Sequence, residues 1–351
     1  MKYNKLGRSK LNVSRVCLGT MTWGKQNTQE DANEQIDYSL DRGINCMDTA
    51  EMYAVPPSPE TYGKTEKIIG NYFKENPGKR KKWFVFSKIA GSNVQWVRKG
   101  GKITGKAVTK AVDDSLKRLQ TDYIDLYQLH WPNRNYPHFN NHWLGKTDFS
   151  ANKEKQEEKN MLGVLQALQK CVKAGKIRYC GISNETPWGI HKYMQLAKDH
   201  DLPKMVSLQN EFSLVHSKDW PYVIESCEMN KIGYLPWSPL GSGVLSGKYA
   251  NGKIPKGSRW SFAGRHGNFR DQALVHKAVK KYVAVAKKHG ITPSQLALIW
   301  IDQFHWVSST IIGATTMKQL KENIDAFEIK VTKELLEDIN AVLKEYPIPY
   351  A

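Results

Sequence analysis

Short apolar runs alternate with stretches of helical periodicity along nearly the whole chain. Runs at 15–18, 45–48, 84–88, 124–129, 179–183, 206–209, 233–237 and 309–312 have the length and apolar character of buried strands. Between them, 31–42, 63–74, 104–119, 162–174, 187–200 and 219–230 repeat apolar residues every three or four positions, the mark of a helix with one buried face. The last interval holds two helices, 272–289 and 293–304, and two more, 317–326 and 332–346, follow the final strand. A strand–helix unit repeated in this way predicts parallel strands joined by crossover helices. Eight units predict a closed (β/α)8 barrel of the TIM type rather than an open sheet. Leu6-Gly7-Arg8-Ser9 predicts a β-hairpin ahead of the first barrel strand, and the C-terminal helices are extra to the barrel.

Helix ends carry their own signals. Thr292 before Pro293 is a cap residue followed by a proline in the first turn. Gly43 and Gly175 follow helical segments where a left-handed residue ends a helix without steric cost. The 351 residues are expected to form one barrel domain, 1–351, because α/β barrels reach this length once insertions are counted. Two stretches are long for connections. Residues 131–160 are polar, aromatic and rich in Asn and His; residues 241–270 are rich in Gly, Ser, Lys and Arg. Both follow strands, and loops after strands build the active-site face of a parallel barrel. They are candidate walls for substrate and cofactor; tolerated surface loops are the bland alternative.

Composition narrows the class. Hydrophobic residues make up 40% of the chain, enough for a large core, and no apolar run reaches the roughly 18 residues that span a bilayer. The first ten residues are polar, so no secretion signal and a cytoplasmic location are expected. Five cysteines with no CxxC pair fit reduced, buried thiols. The net charge of +18 could attract phosphate groups, but Lys and Arg are spread along the chain, so a solvated basic surface is the better reading. No nucleic-acid or membrane partner is expected. The basic run Lys79-Arg80-Lys81-Lys82 is read as a charged loop before a strand.

Chemistry gathers at three successive strand ends. Asp48 ends the second barrel strand, Tyr53 lies in the loop after it, Lys88 ends the third and His130 follows the fourth. Neighbouring strands lie about 4.8 Å apart and share one C-terminal face, so these side chains can converge. A lysine beside a phenol stabilises phenolate and is expected to lower the tyrosine pKa from about 10. A histidine alongside can bind a substrate oxygen. Such a set suits proton donation to a carbonyl oxygen as charge develops there. Other patterns are decoys. Gly19 to Gln26 nearly matches a phosphate-binding loop but lacks the final Ser or Thr and holds bulky Trp23. Trp23 fits a pocket wall or simple packing equally well. His138 and His142 have helical ligand spacing but no clear third ligand, so no metal is expected. No GxGxxG follows a strand.

The stretch from Gly43 through Asp48-Thr49-Ala50 to Tyr53, followed by Tyr62-Gly63-Lys64-Thr65-Glu66, resembles the aldo-keto reductase signature. Phe86-Ser87-Lys88, Leu129-His130-Trp131-Pro132, Gly181-Ile182-Ser183-Asn184 and Gln209-Asn210 resemble further motifs of that family, in the same order. Leu18 to Gly24, 114–123 and Gly313 to Met317 resemble its Tas-type bacterial branch. The resemblance spans nearly the whole chain. It implies an oxidoreductase that reduces a small-molecule carbonyl with NADP(H), in preference to NAD(H). Tyr53 would be the proton donor, Lys88 paired to Asp48 would lower its pKa, and His130 would orient the carbonyl. Ser183, Asn184 and Gln209 would hold the nicotinamide carboxamide, and Trp237 would stack on the ring. Gly19, Thr20, Met21 and Asp48 would border the cofactor. The loop Ser238-Pro239-Leu240-Gly241-Ser242-Gly243-Val244-Leu245-Ser246-Gly247, with Lys248, would wrap the pyrophosphate. Trp23, Tyr53 and Trp131 would line the substrate pocket. In one place the chain departs from the family. Where many members have basic residues for the 2′-phosphate, it has Gly313, Thr315 and Gln319, then Glu322 and Asn323. NADP-binding potassium-channel β-subunits have a similar pattern, and Arg259 with Lys248 could supply the charge. A slow cofactor-sensing protein of that channel-subunit type is the alternative to an enzyme; His130, where that branch has Asn, favours the enzyme. The sequence points to no oligomeric state.

Overall fold

The eight apolar runs pair side by side because each is buried on both faces, with helices outside and other strands inside. The computed structural model describes residues 1–262 and 268–349; the part of the 241–270 stretch at 263–267 lies outside these. A hairpin of β1 (Tyr3–Lys5) and β2 (Asn12–Ser14) comes first, paired antiparallel. The barrel strands are β3 (Val16–Gly19), β4 (Cys46–Asp48), β5 (Phe84–Ile89), β6 (Ile124–Leu129), β7 (Ile177–Ser183), β8 (Met205–Gln209), β9 (Gly233–Tyr234) and β10 (Thr310–Ile312). They form one parallel sheet in the order β10-β3-β4-β5-β6-β7-β8-β9. A parallel bridge between Tyr234 and Val307 and a bond from Ile311 N to Pro236 O (3.1 Å) join the two ends, closing a TIM-type barrel.

The helices are α1 (Gln29–Asp41), α2 (Lys64–Glu75), α3 (Gly105–Leu119), α4 (Glu154–Lys173), α5 (Pro187–Asp199), α6 (Tyr222–Met229), α7 (Ala273–Lys288), α8 (Pro293–Asp302), α9 (Met317–Asp325) and α10 (Lys333–Glu345). Thr292 caps α8 in a capping box with Gln295. Several boundaries differ from the sequence pattern, among them one helix start and one strand end. Helix α4 starts at Glu154 rather than 162, inside the stretch read as a loop. Its first turns are good helix formers with no apolar stripe, so periodicity misses them; Glu154 and Glu158 instead pair with Lys192 on α5. The ninth strand stops at Tyr234, because Pro236 cannot donate a ladder hydrogen bond, and Trp237 rejoins the sheet through a bridge to Glu211. Among the described residues, no helix is long and apolar enough to cross a membrane.

Two shells of apolar side chains hold the barrel. The larger lies between strands and helices and includes Ile36, Ile69, Val112, Leu168 and Leu298. The smaller fills the barrel interior: Cys17, Cys46, Phe86, Leu126, Leu235 and Ile311, plugged from below by hairpin residues Leu6, Leu11 and Val13. Strand side chains alternate between faces, so two residues on from this floor the same face is reached again. There the chain places Asp48 after Cys46, Lys88 after Phe86 and Gln128 after Leu126. A polar layer therefore sits directly above an apolar one.

Candidate active site

Lys88 is fully buried, and its ammonium donates to Asp48 Oδ1 (2.6 Å) and to the Thr49 carbonyl (2.8 Å). The second Asp48 oxygen accepts from Gln209 Nε2 (2.8 Å). Burial works against the lysine charge, yet Asp48 and then Tyr53 outweigh it and hold the Lys88 pKa above its ordinary value. Gln209, expected at the nicotinamide, spends its amide nitrogen on this carboxylate and belongs to the ion pair's frame.

Tyr53 is brought over the pair by a loop fastened at Glu51. The buried Glu51 carboxylate accepts from Ala90 N (2.6 Å) and twice from Arg98 Nη1 (2.7 and 2.8 Å), tying the loop after β4 to the loop after β5. Sequence reasoning missed both residues, since a single Glu and a distant Arg give no local pattern. The Lys88 ammonium lies 5.0 Å from the centre of the Tyr53 ring, and the His130 ring lies 5.8 Å from it at 74°. The tyrosine pKa corrects the expectation from sequence. Burial raises it above the ordinary value; Lys88 pulls it down, but Asp48 opposes Lys88. Burial and the Lys88 charge push His130 well below the ordinary histidine value, so its imidazole is neutral at pH 7. Its Nδ1 is buried without a hydrogen-bond partner.

Next to this set, Asn184 donates to the His130 carbonyl (2.8 Å) and to Ser183 Oγ (3.1 Å), while its own Oδ1 is buried without a partner. Ser183 in turn donates to the Gln209 carbonyl (2.6 Å). An orphaned amide oxygen beside an orphaned imidazole nitrogen fits a ligand that carries both an amide N–H and a polar oxygen, as a nicotinamide carboxamide and a carbonyl compound together do.

In the loop after β9, Ser238, Gly241, Ser242, Gly243 and Gly247 all have positive φ, and the N–H groups of Gly241, Gly243, Leu245 and Gly247 bond to carbonyls within the loop at 2.8 to 3.2 Å. Val244 and Leu245 bury their side chains in the outer core and can offer a ligand only backbone. Lys248 and Arg259 stand close by. Burial lowers both pKa values, with Arg259 acting on Lys248, and burial together with Arg270 brings Arg259 to about 10. Arg259 Nη2 contacts Met21 Sδ at 3.4 Å, and among the described residues neither Lys248 nor Arg259 has a carboxylate partner. Gln319 accepts from Thr315 N (2.9 Å), and Asn323 donates to Gly313 O (3.1 Å), which sets these residues together after β10. Asn27 Nδ2 donates to Thr315 O (3.0 Å), so this loop borders the one after β3. These residues fit a phosphate-bearing dinucleotide.

Several expected site residues also tie the frame together. Trp23 is fully buried, packs in the outer core and donates to Gln35 Oε1 on α1 (3.0 Å), so it lines no pocket. Thr20 donates to the Asp48 carbonyl (2.7 Å). Gly19 is needed for strand contact, since a Cβ there would meet Ile312 O at 2.4 Å. Glu322 accepts from the α8 cap Thr292 (2.6 Å). Trp131 lies 4.9 Å from His130 and is seated against Gly91, where a Cβ would come within 2.1 Å of its indole nitrogen. The stretch after β6 also brings Tyr136 and Phe139 over the mouth, and neither was singled out in the sequence.

The model of the aldo/keto reductase family matches residues 15–344. The chain belongs to the aldo/keto reductase family. It is therefore an oxidoreductase by family, and the cofactor of the family is NAD(P)H. Two relatives named Protein tas, from Escherichia coli (strain K12) and Shigella flexneri, are each 41% identical over 352 residues, covering 99% of this chain and 99% of the relative. The uncharacterized oxidoreductase YrpG of Bacillus subtilis (strain 168) is 30% identical over 361 residues, covering 100% of both.

Proposed function

We propose that this family member reduces aldehyde or ketone carbonyls to alcohols with NADPH, Tyr53 donating the proton. A bound nicotinamide dinucleotide would supply the hydride for the carbonyl carbon and be oxidised in doing so. Tyr53 gives its phenolic proton to the oxygen, so a C–H and an O–H bond form and the C=O becomes an alcohol. The raised Tyr53 pKa keeps the donor protonated at neutral pH. As the proton leaves, Lys88 is positioned to stabilise the phenolate, and Asp48 keeps Lys88 charged and aimed. Neutral His130 orients the carbonyl oxygen through its unpartnered Nδ1. Ser183 and Asn184 hold the carboxamide, and Lys248 and Arg259 take phosphate charge, which supports NADPH over NADH.

The observation that carries this reading is the buried Lys88–Asp48 pair beneath Tyr53, with His130 Nδ1 and Asn184 Oδ1 both unpartnered beside it. The test is Tyr53→Phe, assayed by NADPH oxidation with 4-nitrobenzaldehyde. Turnover should fall by about 10²–10⁴-fold, the usual worth of a positioned acid. NADPH affinity, read by fluorescence titration, should stay within twofold of the parent, roughly 0.4 kcal/mol. Full turnover in the variant would remove Tyr53 from this role. Tight NADPH retention without turnover in the parent chain would favour a cofactor sensor.

A further inference from the structure

We infer that Arg98, acting through Glu51, is a positioning residue for Tyr53: the pair fixes the point where the chain leaves β5 and so holds the phenol over Lys88 for proton transfer. This rests on the carbonyl-reductase reading and adds a second pair of charges behind the same site. Past the end of β4 the chain still runs beside β5, with Thr49 N donating to Phe86 O (2.8 Å) and Glu51 N to Lys88 O (3.1 Å). At Glu51 it turns away, and Tyr53 N closes the turn on Ala50 O (3.1 Å). The proton donor thus follows directly on the anchored Glu51.

The Glu51 side chain is fully buried, and Arg98 Nη1 meets both of its oxygens. Glu51 also accepts from Ala90 N (2.6 Å), while Arg98 Nη2 donates to Ala90 O (2.7 Å). Between them the two side chains take both backbone polar groups of Ala90, just past Lys88. The clamp is therefore locked to the strand end that carries the lysine. Arg98 and Lys99 have φ +49° and +54°, a conformation that costs free energy and persists where surrounding bonds hold it. The other charged and titratable groups facing Glu51 are matched or neutral. Tyr62 OH donates to Oε2 (3.4 Å); Glu66 on α2 accepts from Ser87 (2.6 Å) and from Arg118 on α3 (2.6 Å); burial keeps the Tyr127 phenol on β6 neutral. Burial holds the Glu51 pKa above the ordinary carboxylate value, with Arg98 opposing. Without Arg98 the carboxylate rises further. It then stays in place when protonated and is driven toward water when ionised, taking the start of the Tyr53 turn with it.

The test measures kcat and KM for 4-nitrobenzaldehyde, with NADPH, from about pH 6 to about pH 9. It compares the parent chain, Arg98→Met, Arg98→Lys and the double variant Glu51→Gln with Arg98→Met. Circular dichroism checks that each is folded across that range; where Arg98→Met does not fold, Arg98→Lys and the double variant carry the test. Relative to the parent, Arg98→Met should lower kcat roughly 10- to 100-fold at neutral pH, as a misplaced acid does. The loss should deepen as pH rises and Glu51 ionises, and shrink as pH falls. KM and the NADPH dissociation constant should stay within about twofold. The solvent deuterium isotope effect on kcat should grow, because proton transfer from Tyr53 becomes slow. The double variant should recover most of kcat and lose the added pH dependence, since a neutral amide still accepts from Ala90 N. Arg98→Lys should fall between, as a point charge without the guanidinium fork. Unchanged kcat in folded Arg98→Met or Arg98→Lys, a loss that Glu51→Gln does not relieve, or a pH profile and isotope effect parallel to the parent would each overturn the inference while leaving carbonyl reduction intact. A parent chain that does not reduce the aldehyde would overturn the function reading and this inference with it.

Discussion

Lys88 and Arg259 are both cations held largely out of water near the barrel mouth, and the fold treats them oppositely. Lys88 has a carboxylate at 2.6 Å and a carbonyl at 2.8 Å, and its pKa is raised. Arg259 has a thioether at 3.4 Å and a second guanidinium in its field, and its pKa is lowered to about 10. A third fate appears in His130 and His216, which burial keeps neutral; His216 falls to about 3. A paired charge belongs to the protein's own machinery. An unpaired one costs free energy that an anion would relieve. The contrast with Arg270 makes the point within one loop, for Arg270 Nε donates to Glu211 (2.9 Å) and holds the frame.

The largest effect expected from this comparison is at Lys88. Lys88→Met leaves Asp48 buried without its cation, which should cost about 3–5 kcal/mol in urea unfolding and remove nearly all turnover. Adding Asp48→Asn should restore much of the stability and none of the activity. Equal stability of the single and double variants would show that the two charges are not coupled. Next comes Arg259→Met. NADPH binding should weaken about 10- to 100-fold, NADH binding far less, and the melting temperature should hold or rise because no ion pair is lost. Equal weakening of both dinucleotides would place Arg259 away from the distinguishing phosphate. The smallest effect is on pH dependence. Histidines with depressed folded pKa values take up protons mainly in the unfolded chain. Their contribution is whole above about pH 6.5 and is lost as pH falls below it, at up to ~1.4 kcal/mol per pH unit for each site. For His216 that loss continues to about pH 3. His216→Gln should flatten the acid limb of a stability–pH curve; an unchanged slope would mean that another group carries it.

Legibility differed between strands and loops. Every barrel strand was visible as an apolar run, because strands buried on both faces carry a continuous signal. The early start of α4 was invisible, because a polar helix projecting past the core has no stripe to read. Asp48, Lys88 and His130 were legible as polar residues at the ends of apolar strands. Trp23 misled, since an indole can line a pocket or fill a core, and only its bond to Gln35 decides which. Glu51 and Arg98 were silent, being distant in sequence and joined only by the fold.

The chain alone determined the barrel, the strand order and the polar layer above the apolar floor. Those follow from local periodicity and from the rule that side chains alternate along a strand, which need no knowledge of distant neighbours. Tertiary structure alone decided which charges are matched. It raised the Tyr53 pKa by burying the phenol, spent Gln209 on Asp48, left Arg259 without a carboxylate among the described residues and laid Phe139 across to Trp237. Each of these depends on distances between residues far apart in the chain, and desolvation and Coulomb energies have no value until those distances are set.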